Sequence, residues 1–570
     1  MEDDLPAIGS PTPRNLRFRG DPEGGPPPPQ GGRDEAYDGI IIGSGQHGLI
    51  LGSYLARQGL NVVILERRLI YGGGLGTQEV TIPGFYHQLH SVNHFNISET
   101  PWYRDLELAQ SARYVTPRYD FAQPHRDNTA LVFSRDIDEM CAAIARFSKK
   151  DAQTYREWNR RADTISERIF WPERYSEPLP EAERDELLRR SELGRDFLEI
   201  INHQPLDMVK ELFEHELVQL LLLFKISLFG TVLYDQLSTR SPMGALIRGF
   251  DLVANYQVCV GGSVSLARGL MEAFIKNGGR TLTGAHVDRI VVEGGRATGV
   301  ELEDGRKIRA RQFVASTVDV PQTFRKMVGF EQLPAEYRRK VDNFKHTGWS
   351  LFGLHLALRE LPRYLGTGFD PHVNHSLKVN VGCESLEQLF ALHHEVAEGQ
   401  IPSRVSFGSG QITYFDPSQA PRGYHTAYAW HAFPYAPDGD PANVEAIKEE
   451  FADRMVEKWR EFAPNMTPDN ILARYIWTAN DYTKELINMV EGDIFMGSFS
   501  GEQTMWNHFG YRTPIRGLYM AGSPSHPGGA ISGGGGYIAS KVIVEDLGLQ
   551  PWWEPVDARR SLERLAEAVV

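Results

Sequence analysis

Three glycines, one carboxylate and their spacing hold the first chemistry visible in this chain. Gly43-Ser44-Gly45-Gln46-His47-Gly48 reads as G-x-G-x-x-G, a pattern that lets bare backbone close on a pyrophosphate. Gly43 permits a tight turn, Gly45 lets the backbone approach the phosphates, and Gly48 lets a helix pack closely on a strand. Glu66 follows eighteen residues after Gly48. A carboxylate there can accept hydrogen bonds from both ribose hydroxyls and disfavours a 2′-phosphate. His47, inside the motif, faces the start of a helix, where packing and a phosphate-side role are both open.

These residues need a strand, a helix and a second strand to position them, and the flanking sequence predicts all three. Residues 38–42 are a short apolar run rich in isoleucine, the mark of a buried parallel strand. A helix follows to about residue 58, with Gly59 as its C-terminal cap. Its free N–H groups and positive dipole end point at the phosphates. "NVVILE", residues 61–66, is the second strand. Strand, turn, helix, strand and acid in this register predict a dinucleotide site. A second glycine segment, "YGGGLGT", places Gly72 and Gly73 shortly after Glu66, with Gly74 and Thr77 beyond. Nearly five hundred residues after the first motif stands "PIRGLYMAGSPSHPGGAISGGGGYIASKVIVEDLG". It reads as a short strand ending at Gly522, a glycine-rich loop and a helix whose N-terminus can also meet a dinucleotide.

With both ends in view, the chain resembles the FAD-dependent phytoene desaturase and carotene-ketolase-like oxidoreductases of the flavin-binding amine oxidase superfamily. The block 260–317, a glycine turn followed by a helix and several strands, matches the same family between the two motifs. The resemblance implies an α/β fold: a Rossmann-like, glutathione-reductase-like FAD-binding domain beside a substrate domain of mixed sheet and helices. It carries cofactor contact onto Gly43, Ser44, Gly45, Gln46, His47, Gly48, Glu66, Arg67, Gly72, Gly73, Gly74, Thr77, Val287, Gly522, Gly529 and Ala530, with Val287 offering its backbone to adenine. The family often has an arginine directly after the second glycine doublet, where this chain has Gly74. In place of the family's Arg-Pro pair before the closing motif stands Trp506-Asn507-His508, which implies a reshaped substrate end.

The implied reaction is hydride transfer from an apolar or conjugated, carotenoid- or isoprenoid-like molecule to flavin N5, with oxygen or a quinone as the final acceptor. A flavin amine oxidase is the alternative within the class. A non-catalytic binding protein on the same scaffold, as in Rab escort proteins, is the alternative outside it. No G-x-S-x-G elbow or assisted cysteine is present, so the hard chemistry falls to the cofactor. Protein candidates for contact with substrate are His526, beside Pro527 in the closing loop, and the strand "GYHTAYAWHAFPY". Alternation puts His425 and His431 on one face with small residues between them, and Tyr428 and Trp430 on the other. His87, His90 and His94 lack the partners of a metal site, and no metal is expected.

Length and composition fit this reading. The chain has 570 residues, 41% hydrophobic and 24% charged, and a formal charge of −14, which speaks against nucleic-acid binding. Three scattered cysteines suit a reducing compartment, and a cytoplasmic enzyme is expected. The Pro/Gly-rich residues 1–36 are expected to be a disordered leader. The FAD-binding domain is assigned to 37–100, 255–330 and 505–548, the substrate domain to 101–254 and 331–504, and a tail to 549–570. The apolar run 217–234 reads as a buried helix; lining a substrate entrance or touching a membrane surface is its second reading.

Overall fold

The computed structural model describes residues 35–226, 256–499, 503–529 and 531–567. A seven-stranded sheet has the order Arg280–Thr283, Val62–Glu66, Glu35–Ile42, Lys307–Ser316, Arg296–Leu302 and Val287–Glu293. The first four strands run parallel and the last two continue antiparallel. Lys307–Ser316 serves two neighbours: its start pairs with 299–301, while its end runs parallel to Leu518–Met520. The chain therefore returns from the far C-terminus to complete the sheet.

Parallel strands read as unbroken apolar runs because both faces are covered. Ile41, Val62 and Ile64 pack under the helices Gln46–Arg57, Val264–Lys276 and Gly534–Asp546. Ile40, Ile42, Val63 and Leu65 face the other way, toward Val320 and Phe324. The first strand begins at Glu35, so residues 35 and 36 do not belong to a leader. They pair with Ile308 and Arg309, a ladder that local periodicity cannot reveal. Residues 1–34 of the expected leader lie outside the described residues.

A second, mixed sheet has the order Ile471–Trp477, Trp349–Leu358, His425–Pro434, Phe407–Gly410, Lys378–Val381, Tyr119–Pro124 and Ala130–Ser134. The last two strands come from the first of the two segments assigned to the substrate domain. His425–Pro434 is the strand expected from its alternation, and Trp349–Leu358 pairs antiparallel with it along its whole length. One face of this sheet packs on the helix Ala442–Phe462. The other carries Leu351, Tyr428, Trp430 and Trp477. The run expected to be a buried helix forms Glu216–Ile226, with Leu220 to Phe224 fully enclosed; residues 227–234 lie outside the described residues. Lys225 of that helix meets Asp120 of the second sheet at 3.1 Å, both side chains wholly buried. Among the described residues, no helix is long and apolar enough to cross a membrane.

Candidate functional site

A cavity of about 810 Å³ opens at the carboxyl ends of Glu35–Ile42 and Val62–Glu66 and reaches the second sheet. Open parallel sheets bind ligands at such ends. Its near wall is Gly43, Gly45, Gln46, His47, Glu66, Arg67, Gly72, Gly73 and Gly74, with Val287 and Asp288 alongside. Its far wall is Phe95, Tyr256, Leu351, Trp430, Tyr482 and Phe495.

The two glycine loops are fastened to each other. The Gly72 N–H donates to Ser44 O at 2.9 Å, and Gly45 and Gly72 form a parallel bridge. A Cβ placed on Gly73, at φ +58°, would stand 2.9 Å from Gly45 Cα. Bare backbone on both sides is thus required. A Cβ on Gly48 would lie 2.0 Å from Gly43 O, the close helix–strand packing expected of the third glycine. The helix Gln46–Arg57 begins without a side-chain cap and without an acid in its first turn. Its positive end remains available to an anion.

Glu66 lines the cavity while already holding the first loop. Its Oε2 accepts from Ser44 N at 3.0 Å and from Ser44 Oγ at 2.7 Å, and its Oε1 accepts from Arg68 N at 2.9 Å. Arg68 was not among the expected site residues. Its guanidinium donates to Gly73 O at 2.9 Å and meets Glu485 Oε1 at 2.7 Å. A cation therefore reaches the second glycine loop from two residues beyond Glu66, although position 74 lacks one.

His47 joins the first and last motifs. Burial lowers it to about 4, so the ring is neutral. Its Nδ1 accepts from Gly536 N at 3.2 Å, which places the proton on Nε2. That nitrogen meets Ser523 Oγ at 3.2 Å. Ser523 and Ile531 line the cavity; Ala530 lies outside the described residues.

Other expected contacts stand elsewhere. A Cβ on Gly522 would meet Thr317 O at 2.4 Å, and one on Gly529 would meet Phe495 O at 2.2 Å. Both glycines serve backbone packing behind the wall. Thr77 is buried, and its Oγ1 accepts from Val264 N, holding the start of the next helix. The first residues of the helix Gly534–Asp546 are not among those lining the cavity, although Ile531 just before them is. The glycines of this helix let it pack on the first helix, since a Cβ on Gly536 would lie 2.3 Å from His47 O.

The substrate-side candidates fare unevenly. His526 is 1% exposed and absent from the cavity wall. Its ring nitrogens lie 2.8 Å from Met505 O and 2.7 Å from Glu173 O, so it braces the loop. His431 is enclosed, with Nδ1 2.5 Å from Ala432 O and Nε2 accepting from Ser406 N. His425 meets Thr413 Oγ1 at the strand's start. Neither lines the cavity. Trp430 does, while Tyr428 stands behind it, accepting from Asn93 Nδ2 at 2.5 Å. In the reshaped segment before the closing motif Trp506 is structural, its Nε1 donating to Glu173 at 2.9 Å. Among the described residues no group of histidine, cysteine and acidic side chains can hold a metal. Asn93, Leu351, Tyr482 and Phe495 were missed, since no local spacing marks them, and His90, weighed only against a metal site, lines the cavity as well.

The chain matches the family described as flavin containing amine oxidoreductase over residues 48–362. It is 32% identical over 549 residues to a polypeptide of the limonene dehydrogenase of Castellaniella defragrans, covering 91% of this chain and 96% of that protein. It is 25% identical over 535 residues to the lycopene-forming phytoene desaturase of a Paracoccus species, covering 90% of this chain and 98% of that one. Among solved structures, cyclohexylamine oxidase from Brevibacterium oxydans is similar with a TM-score of 0.55 and 16% identity, over 90% of this chain and 99% of the other. That last likeness is one of fold.

Proposed function

As a member of the flavin containing amine oxidoreductase family, to which this chain belongs, the protein is an FAD-dependent oxidoreductase, and we propose that it dehydrogenates an apolar small molecule. The observation carrying the proposal is the continuity of one cavity, from the paired glycine loops and Glu66 to a wall of Phe95, Tyr256, Leu351, Trp430, Tyr482 and Phe495. The donor set at its near end suits the cofactor. Backbone at Gly43, Gly45 and Gly73 admits a pyrophosphate, and the first helix offers it an uncapped N-terminus. Glu66 accepts the ribose hydroxyls, Val287 borders the adenine, and Arg68 adds positive charge beside Gly73. Bound FAD supplies the hydride acceptor.

The far wall selects the substrate. Aromatic and aliphatic side chains exclude water and reward apolar area, at about 25 cal/mol per Å² removed from solvent. The names limonene dehydrogenase and phytoene desaturase, borne by two relatives, favour a terpenoid-like hydrocarbon skeleton. An amine substrate is favoured less: of Tyr428 and Trp430, the aromatic candidates of the strand, only Trp430 lines the cavity. Oxygen or a quinone serves as terminal acceptor. The test is anaerobic mixing of the purified, FAD-loaded protein with matched panels of apolar alkenes, alcohols and amines. Bleaching of the flavin band by an alkene or alcohol supports the proposal. Bleaching by amines alone overturns it.

A further inference from the structure

We infer that His346 is a positioning residue for the cofactor. Carrying its proton, the ring ties the loop 493–497 to the cofactor end of the cavity, and FAD is held less firmly once the proton leaves. Two pieces of cavity wall meet at this ring. Ile494, Phe495 and Met496 line the cavity from that loop, and Asp319 lines it from just past the strand Lys307–Ser316. Asp319 belongs to the cofactor end, since nearby Thr317 Oγ1 donates to Ile42 O at 2.7 Å, directly before the first glycine motif. The His346 Nε2 lies 2.8 Å from Asp319 Oδ1, with the Asp319 side chain enclosed and that of His346 11% exposed. The backbone beside the ring holds the loop. Thr347 N donates to Asp493 Oδ2 at 3.2 Å, and Gln503 pairs with both N and O of Lys345, at 3.1 and 3.0 Å. Residues 345–347 are therefore a strap, fastened to the loop segment by backbone and to Asp319 by one imidazole.

The loop needs that hold. Asp493 accepts from Phe495 N and Gly497 N, both at 2.9 Å, and Met496 between them has φ +55°. Such left-handed backbone is unfavourable for a side chain and persists only where its surroundings enforce it. Asp319 and Asp493 are both enclosed, and among the described residues His346 is the one cation within ion-pair distance of Asp319. A buried carboxylate left without its counter-charge is costly. Asp493 and Glu491 of the loop act on the ring together with Asp319, and Lys345 precedes it in the strap. Burial works to lower the His346 pKa, but the hydrogen bond and charge of Asp319, then Asp493 and Glu491, raise it above its ordinary 6.5. In return, the charge on His346 opposes the rise that burial imposes on Asp493. The ion pair thus contributes in full below about pH 6.5 and is lost as the pH rises through the raised value. A neutral ring leaves the Asp319 carboxylate uncompensated in the wall of a cavity that receives a pyrophosphate, and it slackens the strap. Both effects loosen FAD.

The experiment follows the FAD-loaded protein from about pH 6.5 to about pH 8.5, where rings that burial lowers stay neutral. His47, His90 and His355 are of that kind, at about 4, 3 and 3. FAD release is read from the rise in flavin fluorescence after dilution. Hydrogen exchange of the peptide 493–499 is read in parallel, corrected for the intrinsic effect of pH. In the unmodified protein both rates are expected to rise at least about threefold across the window. His346→Lys keeps a positive charge throughout and should leave both rates slow and level. His346→Gln keeps a donor without charge and should leave both fast and level. Level rates in the unmodified protein overturn the inference, whether or not either variant folds. The same pH response surviving in both variants assigns the titration to another group and also overturns it. So does exchange that quickens while FAD release stays level, which separates the strap from the cofactor. The class of substrate is decided apart from this, by the anaerobic panels.

Discussion

Replacing His526 with alanine is expected to destabilise the closing loop without slowing chemistry in the enzyme that remains. The imidazole is enclosed between Met505 O and Glu173 O, at 2.8 and 2.7 Å. Burial lowers its pKa against the opposing pull of those two carbonyls. Alanine leaves a buried carbonyl without its imidazole donor, at a cost of about 1–3 kcal/mol. Lost packing of the ring carbons adds roughly 1–2 kcal/mol, for a total of about 2–5 kcal/mol. The loss also reaches the segment holding Glu173, whose carboxylate takes Arg184 and Trp506. Circular dichroism melting and acid-released FAD should both show the damage, with an earlier melt and a lower flavin content. Single-turnover reduction of the remaining holoenzyme should match the unmodified protein. Normal melting and full flavin content with slowed reduction would refute the reasoning and return His526 to the substrate.

Glu66→Ala should weaken FAD binding by about 10- to 100-fold, the scale of losing charge-assisted hydrogen bonds. Fluorescence titration of the deflavinated protein reads it, and an unchanged affinity would exclude Glu66 as the ribose ligand. Gly73→Ala combines a positive φ with a Cβ 2.9 Å from Gly45 Cα, about 1–2 kcal/mol of backbone strain before any clash; the same titration should show at least tenfold weaker binding. Acid should unfold the protein early. Burial lowers His47 and His431 to about 4 and His94, His355 and His508 to about 3, so below pH 6.5 the unfolded chain binds more protons than the folded one. Stability is then complete above about 6.5 and falls as the pH drops toward those values, by about 1.4 kcal/mol per pH unit for each ring. A urea midpoint that stays level from pH 7 to pH 5 would contradict this.

What the sequence discloses follows the range over which each residue acts. Gly43, Gly45, Gly48 and Glu66 are legible because turn, helix start and second strand are all local, and the parallel strands carry their double burial as unbroken apolar runs. Arg68 escapes notice because its importance depends on a contact with Gly73 and Glu485, the latter more than four hundred residues away. The far wall has the same character. Leu351, Tyr482 and Phe495 reach the cavity only through the pairing of the second sheet and the loops after it.

The strand His425–Pro434 shows the limit most clearly. Period-2 alternation sorts its residues correctly into two faces, and both faces are apolar, so the pattern holds no sign of which one meets a ligand. Small residues beside the histidines suggested room. In the structure Ala427 and Ala429 lie in the core that includes Phe451 and Trp459 of the helix Ala442–Phe462, and the His431 ring stands 5.0 Å from Phe451. The space belongs to a helix. The aromatic face turns inward instead, and Trp430 reaches the cavity with Tyr428 holding Asn93 behind it. A small residue in a buried strand marks the close approach of something, and only the partner across the gap decides whether that something is protein or substrate.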